Sequence, residues 1–209
     1  MKINTFILTA SLGLAAAPGA WAQVVLSDNL ASTSGGRSLN VDTGWSAARF
    51  TTDAQAYKFT SAVLLMSGIG NPVAQVDVYS ESGGNRPATP LGTLISPGTF
   101  STSLEQKTFT SAGIPLAANS AYWVVLKATS GGLGWSYTYD PNGTGVGFSG
   151  GSSDTLDAGI IWNSAQSPSY QMQVNVDAVP EPGQWAMMGM TLLGVAGFGL
   201  RQWRSRKVS

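Results

Sequence analysis

The chain has 209 residues, 26 of them glycine, and only 11% are charged, with eleven basic residues matching eleven acidic ones. It has no His and no Cys, which excludes a Ser-His-Asp triad, a Cys-His pair, a His/Cys zinc site and any disulfide framework. Five of the basic residues lie at the two ends, so Gln23 to Pro180 carries six basic against ten acidic residues, a balance that argues against nucleic acid as a partner.

Residues 1–22 open with Lys2, continue as an apolar run from Ile3 to Ala17 and end on Ala20-Trp21-Ala22. A short basic start, an apolar core and a small-x-small triplet predict a secretory signal peptide cut between Ala22 and Gln23. The segment that follows, 23–178, shows no helical periodicity. Its clearest pattern has a period of two: Tyr170, Met172, Val174 and Val176 alternate with Gln171, Gln173, Asn175 and Asp177, which predicts a strand with one wet face. Ala74, Val76 and Val78 alternate likewise.

Ala62 to Met66 and Tyr122 to Leu126 are apolar throughout and are expected to be central strands covered on both faces. Shorter strands are expected at Val24–Leu26, Arg49–Thr51, Tyr57–Thr60, Leu94–Ile95, Lys107–Thr110, Ser136–Tyr139 and Ile160–Trp162. Ser82-Gly83-Gly84-Asn85, Gly131-Gly132, Asn142-Gly143 and Gly150-Gly151 are expected turns, Pro87, Pro90, Pro97 and Pro115 are expected to interrupt pairing, and Gly143–Ser153 reads as a long flexible loop. The predicted fold class is all-β: an antiparallel β-sandwich of jelly-roll type, with an up-and-down barrel as the alternative.

Without His or Cys, the remaining chemistry is that of carboxylates and aromatic rings. Asp140, Asp154 and Asp157 are close in sequence. Glycan hydrolysis needs a facing pair, whereas Asp140 in Asp-Pro-Asn-Gly has the signature of a turn. Asp154 and Asp157 with loop carbonyls offer hard oxygen ligands to calcium, although no EF-hand spacing is present. Trp135, Tyr137 and Tyr139 fall on one face of a strand, where they form either a sugar-stacking platform or part of the core.

The order of motifs in this middle segment is Arg49-Phe50-Thr51-Thr52, Tyr57-x-Phe59, Val63-x-Leu65, Val76-x-Val78-Tyr79, Pro87-x-x-Pro90, Phe109, then Ile114-Pro115-Leu116-Ala117-Ala118-Asn119-Ser120-x-Tyr122-Trp123-Val124. It resembles the choice-of-anchor R type domains of exported bacterial proteins. The resemblance spans about residues 25–177 and implies a β-sandwich without implying a reaction.

Residues 179–209 begin with Val179-Pro180-Glu181-Pro182, whose prolines end a strand and keep the backbone extended. From Trp185 to Leu200 there is no charge. A helix over 184–203 reaches the roughly 30 Å of a hydrocarbon core, with Trp185 and Trp203 near the interfaces. Arg201, Arg204, Arg206 and Lys207 follow, placing the C-terminal end on the cytoplasmic side and the β domain outside. Pro-Glu-Pro, an apolar helix and a basic terminus resemble the PEP-CTERM sorting signal of exopolysaccharide-producing Gram-negative bacteria. That resemblance implies an exosortase partner, transient residence in the inner membrane, removal of the tail and delivery to the cell surface or matrix. The combined expectation is a non-enzymatic envelope or extracellular-matrix protein with no cofactor, linked to exopolysaccharide. A secreted carbohydrate-binding module is the alternative, and a glycan hydrolase a more distant one.

Overall fold

A computed structural model describes residues 23–165 and 167–180. The signal-peptide residues Ala20 and Ala22 lie outside the described residues, as do Glu181, Pro182, Trp185, Leu200, Arg201, Trp203, Arg204, Arg206 and Lys207. The described chain is all-β and, among the described residues, contains no helix. Its strands are β1 (Gln23–Asp28), β2 (Gly36–Val41), β3 (Trp45–Thr51), β4 (Tyr57–Ser82), β5 (Arg86–Leu94), β6 (Glu105–Leu116), β7 (Ala121–Thr138), β8 (Phe148–Thr155), β9 (Asn163–Ala165), β10 (Ser169–Tyr170) and β11 (Met172–Ala178). Every pairing between them is antiparallel.

Two long strands organise the sheet. The first limb of β4, Tyr57–Met66, lies between β6 and β11, and its second limb, Ala74–Ser82, lies between β5 and β7. Pairing with β7 is irregular between Ile69 and Ala74, where Gly70 and Asn71 adopt φ of 67° and 50°. Gly131 of β7 faces this bend with φ 63°, and a Cβ there would sit 2.6 Å from the Gly70 carbonyl oxygen, so only glycine fits. Sequence reasoning assigned Gly131-Gly132 to a turn between strands, but the pair lies within β7. The path runs β1-β11-β4-β7-β3-β8-β9, with β5 and β6 attached to β4 and β2 and β10 attached to β7.

The pleat alternation sends Phe59, Ala62, Leu64 and Met66 from one limb of β4, and Val76 and Val78 from the other, into a single apolar cluster with Phe50, Phe109, Tyr122, Val124 and Leu126. Phe50 stacks on Tyr122 at 5.6 Å between ring centroids. Each such side chain contributes about 1.5–3 kcal/mol through burial. The opposite face of β7 buries Trp123 and Val125 in a second cluster with Ala47, Tyr79 and Trp162. Tyr122–Leu126 is therefore covered on both faces, as its uninterrupted apolar run predicts. Ala62–Met66 is covered on one face only, since Val63 and Leu65 remain half-buried.

Several local expectations are corrected. Gly143–Ser153 is not a flexible loop. Its second half forms β8, with Ser152 and Ser153 buried between β3 and β9. Ile160–Trp162 is a bend around Asp157, not a strand. Pro115 does not interrupt pairing, since it sits opposite Lys58 in unbroken register on a strand attached to one side of β4, where a missing N–H is tolerated; Pro87 and Pro90 stay within β5, but the register shifts on both sides of the Tyr79–Pro90 pair. The polar face of the last strand is not wet throughout: Gln171 is fully buried and Asn175 nearly so.

The two ends of the described chain lie together. Gln23 is the register partner of Asp177, and the Val179 N–H donates to the Ala56 carbonyl at 3.0 Å, just before Pro180.

Candidate functional site

The aromatic residues singled out in the sequence separate on folding. Trp135 is fully buried, stacked on Tyr170 at 4.8 Å, and its Nε1–H donates to the Gln171 carbonyl at 2.9 Å. It has no free face on which a sugar could stack. Tyr137 is half-buried and Tyr139, just beyond the end of β7, is 64% exposed; their rings meet edge-on at 5.5 Å. Of the three, only Tyr139 presents an open ring.

Beneath them, Gln171 is held by a closed polar network. Its Oε1 accepts from Ser136 Oγ at 2.6 Å, and its Nε2 donates to the Ser32 carbonyl at 2.6 Å. These bonds offset the cost of burying an amide, and they explain why the polar face of the last strand dries out.

The three carboxylates are also kept apart by their partners. Asp140 Oδ1 accepts from the Asn142 backbone N–H at 2.9 Å, closing its own turn. Asp154 Oδ1 accepts from the Tyr170 hydroxyl at 2.6 Å and Ser46 Oγ at 2.7 Å. Asp157 Oδ1 accepts from the N–H groups of Ile160 and Ile161 at 3.0 and 2.9 Å. The Ile161 and Thr155 donors hold the Asp157 carboxyl below its ordinary pKa. No group of three His, Cys, Asp or Glu positioned for a metal occurs among the described residues.

A different assembly, which the sequence reading did not single out, lies on the outer face of the β3, β7 and second β4 limbs, where the register aligns Trp45 with Lys127 and Asp77 with Val125. Lys127 Nζ donates to Asp77 Oδ2 at 2.5 Å and to the Tyr79 hydroxyl at 3.0 Å, and it lies 4.2 Å over the Trp45 ring. Asp77 is 2% exposed and accepts further hydrogen bonds from Gln75 Nε2. Trp162 covers Trp45 at 6.4 Å. Burial works against the Lys127 ammonium, but Asp77 and Tyr79 outweigh it and raise its pKa above the usual lysine value.

Further along the same face Arg49 forms a two-point pair with Glu81, Nε to Oε2 at 2.5 Å and Nη2 to Oε1 at 3.1 Å. Between the two ion pairs stand Trp123 and Tyr79, cross-strand partners in the sheet. This face can present fixed cations next to buried indoles. Its sequence signal is a lone charge within an otherwise neutral strand for Lys127 in β7 and Arg49 in β3, whereas Asp77 shares β4 with Lys58 and Glu81.

Gln23 and Pro180, the described members of the two processing motifs, flank the β1–β11 pair at one end of the sheet. Comparison with protein-family models and with curated proteins returned no match.

Proposed function

We propose that this chain is an exported, non-enzymatic envelope or matrix protein of a Gram-negative bacterium. A signal peptide delivers it, and a PEP-CTERM tail holds it in the inner membrane until an exosortase removes the tail. In this reading the antiparallel sheet is a jelly-roll-like sandwich of the choice-of-anchor R type that contributes to an exopolysaccharide network. The closing of both limbs of β4 around one apolar cluster supports the sandwich. The observation that carries the proposal is the pairing of Gln23 with Asp177. It sets side by side the two described residues that adjoin the proposed export and sorting segments, which suits a domain tethered at one end.

The test replaces Pro180-Glu181-Pro182 by alanines. The last described backbone bond, from Val179 N–H to Ala56, precedes the motif, so the sheet is expected to keep its circular dichroism spectrum. On immunoblots of fractionated cells the variant is expected to accumulate in the membrane with its tail attached. Normal tail loss would refute exosortase sorting.

A further inference from the structure

At the β4–β5 turn the outer face opens into a cavity of about 270 Å³, walled by Arg49, Asn85, Arg86, Trp123, Gly151 and Ser164 among others. Two guanidinium groups line it and no carboxylate does. Glu81 engages Nε and Nη2 of Arg49, and Nη1 makes no hydrogen bond among the described residues. The Arg86 side chain is exposed and enters no ion pair or hydrogen bond among the described residues. Trp123 is 1% exposed, and its Nε1–H has no hydrogen-bond partner among the described residues. The nitrogen itself is not accessible, so the indole serves the cavity as a wall and not as a donor.

The backbone is cut to this shape. A Cβ at Gly151 would come within 3.1 Å of both Cβ and Cδ of Arg49, so glycine lets the arginine stem lie across β8. Ser164 Oγ donates to the Asn85 carbonyl at 2.7 Å and ties β9 to the turn, which fixes the far wall. The Arg86 fork matches the planar geometry of a carboxylate and Arg49 adds Nη1, while the Asn85 amide can exchange hydrogen bonds with sugar hydroxyls and Ser164 Oγ, its hydrogen given to the Asn85 carbonyl, can accept one. The volume falls just under the roughly 300–1,000 Å³ usual for small-molecule sites, enough for one ring and not for an extended chain.

We propose that this cavity binds the carboxylate-bearing ring of an acidic saccharide, a uronate unit. The carboxylate lies toward Arg86 and Nη1 of Arg49, and the sugar ring lies against the Trp123 wall of the cavity. This assignment rests on the polysaccharide part of the proposed function and deepens it.

Isothermal titration of the full-length chain in detergent tests the site, with glucuronate, glucose and inorganic phosphate as probes. Glucuronate is expected to bind saturably and glucose not at all. Arg86→Gln is expected to weaken glucuronate about tenfold, the scale of one charge-assisted hydrogen bond. Absence of saturable glucuronate binding, or equal affinity in Arg86→Gln, overturns the site. Phosphate binding as tightly as glucuronate overturns the saccharide assignment. Pull-down on a polyuronate and on a neutral polysaccharide separates this proposal from the wider one. Retention on the neutral polymer alone overturns the uronate site and leaves polysaccharide association standing, whereas retention on neither overturns both.

Discussion

Lys127 shows how much one residue can hold in a domain with few charges. Its ammonium joins Asp77, Tyr79 and the Trp45 ring, and the side chains of Lys127 and Asp77 are only 11% and 3% exposed. Removing one member of such a pair leaves a buried charge uncompensated. Lys127→Met is therefore expected to cost about 3–5 kcal/mol, and adding Asp77→Asn to return part of that loss, both read from urea denaturation midpoints. The pH dependence follows from the direction of the shifts. Lys127 has a raised native pKa, and Tyr170, desolvated by burial and placed against the Asp154 carboxylate, also titrates above its ordinary value. Groups of this kind contribute their full stability below the unfolded pKa values, about 10 to 10.4, and lose it as pH rises through the higher native values. Stability is expected to fall above about pH 10, less steeply in Lys127→Met. At this scale the sequence exposed the residue types but not their partners: Lys127 and Asp77 are 50 positions apart, and only strand register joins them. Trp135 made the converse point, because its alternation with Ser136 located a strand but not which side of that strand was dry.

β8 is the element that pattern reading passed over, and its composition explains why. Phe148-Ser149-Gly150-Gly151-Ser152-Ser153 has no hydrophobic alternation, since it packs small residues against the Arg49 stem and the Ser164 hydroxyl rather than large ones into the core. The segment leading into it acts as a clip. Thr144 bridges to Asp28 of β1, the Gly147 N–H donates to the Leu26 carbonyl at 2.7 Å, and the Thr51 N–H of β3 donates to the Gly147 carbonyl at 2.8 Å. Backbone groups of β1 that would otherwise lie open at a sheet edge are satisfied there. A Cβ at Gly147 would fall 2.1 Å from the Thr51 carbonyl oxygen, a backbone neighbour that cannot rotate away. Gly147→Ala is thus expected to destabilise the fold by about 1–3 kcal/mol, the range for forced overpacking, and to speed amide exchange at position 147 and at Thr51, the two donors of the clip. Unchanged exchange at both would show that the clip does not hold the edge. β4 reads more directly: Tyr57–Thr60, Ala62–Met66 and Ala74–Val78 were each visible as apolar or alternating stretches. Their union into one strand of 26 residues was not, because the bend near Gly70 and Asn71 looks locally like a break between strands.

Across the whole molecule, the two ends of the sheet-forming chain meet. Antiparallel neighbours lie about 4.5–5.5 Å apart at Cα, so the pairing of Gln23 with Asp177 leaves a gap that a short linker spans. A permutant of residues 23–178, joined from Ala178 to Gln23 by a brief Gly/Ser linker and opened at Gly98, is expected to fold with the parent spectrum and a similar urea midpoint. Gly98 suits the opening because a side chain there would meet nothing within 4 Å, and exposed loop sites tolerate new termini. A permutant that fails to fold would mean that the order of the β1–β11 pairing matters as well as its geometry. The same closeness of Gln23 and Asp177 supports the proposed tethering.

The sequence by itself determined the all-β class, most of the strands and the absence of His and Cys chemistry, because alternation and residue type are local properties that survive without any knowledge of partners. Only the tertiary structure decided which faces are dry, which charges pair, and that Arg49, Arg86 and Trp123 line one cavity. Those depend on register between strands far apart in the chain, and shifting a single pairing by one residue would turn every side chain on that strand to the opposite face.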